Sequence, residues 1–145
     1  MTGIPMANDG KIHAVHIGLV VRPWRFVVER QIAPTIVRYD RYSPSTLREL
    51  MISLFELLNA DCHDFAHRLA SLDDGNFMGT RQQRRFIAER RDLLYIGSPH
   101  LEKHAVQFQD YWVATNVGHK EVRAIAYRAC DAAGIKSESL SKLKL

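Results

Sequence analysis

The sequence predicts a single α+β domain: a small N-terminal antiparallel hairpin or three-strand meander packed on a body of about four helices. Three observations lead there. The first forty residues hold short β-branched stretches punctuated by Pro23 and Pro34. Ser43–Leu72 carries a sustained apolar stripe at steps of three and four. Helical spacing then returns twice before the C-terminal end. An all-α bundle is the alternative, and it follows if Trp24–Ile32 is helical.

In chain order, residues 1–10 are polar and expected to be mobile. Lys11–Val21 predicts a strand, because Val15, Ile17, Leu19 and Val21 alternate. Trp24–Ile32 predicts a second, with Trp24, Phe26 and Val28 on one face. Thr35–Tyr39 is a short third. The two prolines belong at strand ends, since proline cannot donate to a ladder.

Ser43 and Pro44 suit the N-cap and first position of a long helix. Leu47, Met51, Leu54, Leu58, Cys62, Phe65, Leu69 and Leu72 form its buried stripe. An uninterrupted helix of this length spans about 40 Å. Asp73-Asp74-Gly75-Asn76 stops it. A helix from Arg81 to about Arg91 follows, capped by Thr80. Asp92–Ile96 reads as a buried strand or the end of that helix. Leu101, Ala105, Phe108 and Trp112 predict a helix over His100–Thr115. Val122, Ile125, Ala129 and Ala132 predict the last, His119–Ala133, ended by a Gly134-Ile135 cap. The tail, 136–145, is expected to fray.

The chain has 145 residues, 46% hydrophobic content and a net charge of +4. It is sized for one domain with its own core. The positive excess favours an anionic partner, nucleic acid or an acidic protein surface. Cys62 and Cys130 both fall on apolar helix faces and read as reduced core thiols. The N-terminus lacks the apolar run of a signal peptide, and no apolar run is long enough to cross a bilayer. The expectation is therefore a soluble cytoplasmic protein with no membrane partner. Oligomeric state is not legible.

Three stretches carry possible chemistry. Thr80–Arg91 holds five arginines and one glutamate. On a helix, Arg81, Arg84 and Arg85 share a face, with Arg91 further along. Guanidinium forks bind phosphate oxygens in pairs. The plainer reading pairs these arginines with Asp73, Asp74, Asp92 and Glu89. Val113–Ala133 resembles a helix-turn-helix in outline, placing Lys120, Arg123 and Tyr127 outward; His119 and Ala124 fit it poorly, and an αα-hairpin is preferred. His63/His67 and His100/His104 stand four apart, so each pair shares a helical face, the geometry of a bundle metal site.

No phosphate-cradling glycine loop, dinucleotide fingerprint or nucleophile elbow is present. The preferred function is a non-enzymatic regulator or accessory factor contacting nucleic acid or another anionic partner through the arginine-rich helix. No catalytic residues and no cofactor are assigned. One alternative is a metal-dependent hydrolase using the histidine pairs with a divalent metal. Another is a protein-interaction module using the aromatics around Trp24, Tyr39 and Tyr42.

Overall fold

A computed structural model describes residues 10–19, 22–73 and 85–143. The chain is mixed α+β, with seven strands in two sheets. The first sheet begins with β1 (Lys11–Gly18), β2 (Arg25–Ala33) and β3 (Ile36–Tyr42), an antiparallel meander as the alternation predicts. Its fourth strand is β7 (Lys136–Ser139), parallel to β1, and the order is β3-β2-β1-β7. The expected frayed tail is thus a strand over Lys136–Ser139, followed by a 3-10 turn, Leu140–Lys142. Lys-Ser-Glu-Ser has no apolar alternation; pairing with β1 orders it, which no local signal encodes.

The long helix is two helices, α1 (Leu47–Asp61) and α2 (Phe65–Leu72). It starts later than Ser43-Pro44 suggest. Thr46 is the N-cap: its Oγ1 accepts the Glu49 N–H at 3.0 Å, while Glu49 Oε2 accepts the Ser45 N–H at 3.1 Å. These are capping-box side chains, with the return bond made one residue early. The break falls at Cys62–Asp64, a polar cluster inside the apolar pattern. The stripe survives it because both helices bury residues of the same core, Leu50, Leu54 and Leu58 before the break and Phe65 and Leu69 after it.

The predicted helix over His100–Thr115 is not formed. Pro99–His104 is a 3-10 turn, and β5 (Ala105–Phe108) and β6 (Tyr111–Ala114) make a hairpin. Gln109 takes a left-handed φ of 55° at its turn. Two-residue alternation competes here with three-four spacing, and Val106, Phe108, Tyr111 and Val113 favour the pleated form. With β6 a strand, both the helix-turn-helix outline and the preferred αα-hairpin lose their first helix. β4 (Ile87–Ala88) pairs with β6, completing a sheet ordered β4-β6-β5. The expected helix over Arg81–Arg91 lies partly outside the described residues. Where described, Phe86–Ala88 is buried with Ile87–Ala88 in a strand, and only α3 (Arg91–Leu94) is helical.

The last helix, α4 (His119–Ala133), forms as its periodicity predicts. Gly134 caps it at φ 73°, and the Gly134 and Ile135 N–H groups donate back to Asp131 and Cys130. The main core lies between the first sheet and α1, α2 and α4. Phe55, Phe65 and Phe108 meet edge-on or tilted at 5.5–6.2 Å, joining α1 and α2 to the second sheet. Each such buried ring contributes about 1.5–3 kcal/mol of transfer free energy. No described helix is long and apolar enough to cross a membrane.

Candidate functional site

The expected arginine surface falls only partly within the described residues. Arg81 and Arg84 lie outside the described residues. Arg85 is committed to structure: its guanidinium donates to the carbonyls of Ile87 at 3.2 Å and Ala70 at 3.1 Å. It also sits 3.8 Å from the buried Asp73 carboxylate. Arg91 lies 5.0 Å over the Trp112 ring, and Arg90 pairs with Asp92 at 3.1 Å. The plainer pairing therefore holds for Arg85 with Asp73 and for Arg90 with Asp92. On α4, Lys120 is exposed, Arg123 is half-buried, and Tyr127 packs against the core.

Among the described residues, the two histidine pairs are not gathered into one cluster. His63 is exposed in the turn between α1 and α2. His67 shares a hydrogen bond with Tyr111 Oη at 3.1 Å. His100 and His104 lie in the 3-10 turn, not on an α-helix, so four-residue spacing no longer places their rings on one face. Among the described residues, no group of three or more His, Cys, Asp or Glu side chains is placed to hold a metal ion.

The structure instead gathers a different set of arginines. β2 and β3 pair Val27 with Arg41. Arg25, two residues before Val27, therefore shares a sheet face with Arg41 as its diagonal neighbour. Between them lies a cleft of about 330 Å³, lined by Arg25, Val27, Arg41, Ser43, Leu140 and Leu143 among others. A second depression continues past Arg25 to Arg22, Ser139 and Ser141. A third runs from Arg22 along Trp24 to the start of α1. No carboxylate is among the described residues lining these three depressions. None of the described ion pairs uses Arg22, Arg25 or Arg41.

Local packing holds this groove open. The Arg22 guanidinium lies 5.6 Å from the Trp24 ring centroid. Trp24 in turn stacks on His119, 5.7 Å away and tilted 13°. That stacking brings the N-terminal end of α4, with exposed Lys120 next in sequence, to the groove's rim. Tyr42 stacks on Phe26 at 4.8 Å, fixing the end of β3. On the far wall, a Cβ on Gly18 would fall 2.9 Å from Leu140 Cδ2. The absence of a side chain there lets the turn after β7 sit close against β1.

A second polar cluster joins β1, β2 and β7. Buried His16 meets Glu29 Oε1 through Nε2 at 3.1 Å, and Glu29 Oε2 meets His13 at 3.0 Å. His16 Nδ1 lies 3.6 Å from Glu138 on β7 and makes no hydrogen bond among the described residues. The cluster ties the parallel strand to the sheet. Neither it nor the arginine groove is visible as a sequence motif, because both are built from residues on separate strands. The only local sign is the run of arginines at positions 22, 25, 38 and 41, interleaved with Trp24, Tyr39 and Tyr42.

No protein-family model, curated protein or solved structure matches this chain.

Proposed function

We propose that this protein is a non-enzymatic binding protein for nucleic acid, and that the groove along Arg22, Arg25 and Arg41 is its binding surface. The observation carrying this reading is that three guanidinium groups border three adjoining depressions whose described lining holds no carboxylate. Exposed arginines with no acidic partner among the described residues offer their donors to phosphate oxygens. Ser43, Ser139 and Ser141 add hydroxyl donors along the same path. The Trp24–His119 stack offers an aromatic edge at one end, and Lys120 supports the rim. This transfers the anion-binding role from the Arg81–Arg91 stretch to the first sheet. Arg81 and Arg84 remain candidates for a subsidiary role.

Fluorescence anisotropy over a salt series tests it, with duplex DNA, single-stranded DNA and RNA as probes. Each guanidinium withdrawn from a phosphate should reduce the log–log salt slope by about 0.9 on duplex DNA and about 0.7 on single strands. Arg25→Gln with Arg41→Gln should therefore remove up to about 1.8 units on duplex, with folding unchanged because both side chains are exposed. Absence of binding to all three probes at low salt would sink the nucleic-acid reading and leave an acidic protein surface as the partner.

A further inference from the structure

We infer that β3 is a homodimerisation edge, pairing antiparallel with β3 of a second copy about a two-fold axis at Tyr39. β3 ends the first sheet, and among the described residues no strand pairs with its outer side. Seven residues of open edge present about 24 Å of backbone donors and acceptors. The strand also carries Ile36, Val37 and Tyr39, which are 52%, 37% and 40% exposed. Only two other described large apolar residues, Leu72 and Ile96, are comparably exposed. Among the described residues, apolar exposure is thus concentrated on a seven-residue strand whose outer edge no described strand pairs.

Charge selects the occupant and the register. Along β3 the order is Arg38-Tyr39-Asp40. With Tyr39 on the axis, Arg38 of each copy faces Asp40 of the other, and both opposite-charge pairs form at once. Displacing the axis to Arg38 sets arginine against arginine, and displacing it to Asp40 sets aspartate against aspartate. Opposite charges directly across a ladder stabilise it and like charges oppose it. The edge charges that commonly discourage strand addition here disfavour the two registers displaced by one residue from Tyr39. Within one chain Arg38 Nε donates to Asp40 Oδ1 at 2.9 Å, so the two groups lie on one face, and the assembly would exchange this pair in each copy for the two pairs between copies. The axis stands perpendicular to the sheet. The two four-stranded sheets would continue as one, with both helical layers on the same side. This pairing does not rest on the nucleic-acid reading, although Arg41 belongs both to β3 and to the arginine groove.

Sedimentation velocity over a concentration series, free of nucleic acid, tests the inference. The wild-type chain should show a concentration-dependent monomer–dimer equilibrium. A residue on the axis meets its own copy, so Tyr39→Lys and Tyr39→Glu should each weaken dimerisation several-fold, by removing the aromatic pair and opposing like charges. An equimolar mixture of the two variants should recover it as a heterodimer. Tyr39 is exposed, so both variants should keep the wild-type circular dichroism spectrum. A wild-type chain that stays monomeric at the highest attainable concentration overturns the inference. So does a dimer indifferent to both substitutions, or variants that fail to recover on mixing.

Discussion

The carboxylate of Asp73 accepts the backbone N–H of Phe86 at 2.8 Å, and its Oδ2 also accepts that of Ile87 at 3.1 Å. The Asp73 side chain is wholly buried. One residue at the end of α2 therefore holds the start of the second sheet, with Arg85 clamping the same junction through Ala70. Asp73→Ala would orphan two buried donors and should cost at least about 2 kcal/mol. Arg85→Gln, on a partly exposed side chain, should cost less. Chemical denaturation of the two variants checks the order; equal costs would show that the carboxylate does not organise the junction.

The apolar stripe of α1 supplies a second test. Leu58 is buried beneath the sheet, whereas Arg48 is exposed. Leu58→Ala should destabilise by about 2–5 kcal/mol through reduced burial and a cavity, and Arg48→Ala should be nearly silent. Comparable shifts in Tm would mean that the buried face has been misidentified.

Asp40 gives a pH-dependent expectation. Partial burial works against its ionisation, but hydrogen bonds and charge from Arg38 and Arg30 outweigh this and hold its carboxyl below the usual value. A folded-state pKa below the unfolded one contributes stability above the unfolded value, near 3.8, that is lost as pH falls through the folded one. Arg38→Gln should raise the Asp40 pKa toward the ordinary value. The stability difference between the two proteins should be largest at neutral pH and vanish in acid. Carboxyl-carbon NMR titration follows the group directly, and an unmoved Asp40 titration in the variant would refute the assignment.

The two thiols should be inert in the folded protein. Burial pushes Cys130 up to about 12, with Asp131 adding to it. Burial also raises Cys62, followed by its hydrogen bond to Asp64 at 3.3 Å. Thiolate is the reactive form, so little is available near neutral pH. A colorimetric disulfide reagent should react slowly with native protein and with both thiols in denaturant. A rapid burst from the native state would contradict this.

What the sequence discloses depends on where the ordering signal resides. β1, β2 and β3 carry their own alternation and proline punctuation, and α4 carries its own period and glycine cap. All four are legible locally. The Cys62–Asp64 break is concealed because the apolar spacing runs through it. The β5–β6 hairpin is hidden because Leu101, Ala105, Phe108 and Trp112 satisfy a helical period while their neighbours satisfy a strand's. β7 is polar and takes its conformation from β1. The arginine groove is the least legible, since Arg25 and Arg41 meet only through strand register. Arginine density points instead to the run near Arg85, whose described part is spent on carbonyl groups, Asp73, Asp92 and an indole ring.

The parallel pairing of Ala14 with Lys136 also bears on the order of events during synthesis. β1, β2 and β3 emerge early and can pair at once, because their connections are short. β1 then waits, one flank open, until nearly all the intervening residues have been made and α4 can deliver its last neighbour. Pairings so distant in sequence slow folding, since loop closure precedes their reward. A nascent chain paused before Lys136, or one cut there by a protease, would present Val15, His16 and Ile17 on an unfinished sheet margin. That intermediate is the species for which a chaperone, or a neighbouring nascent chain, would compete.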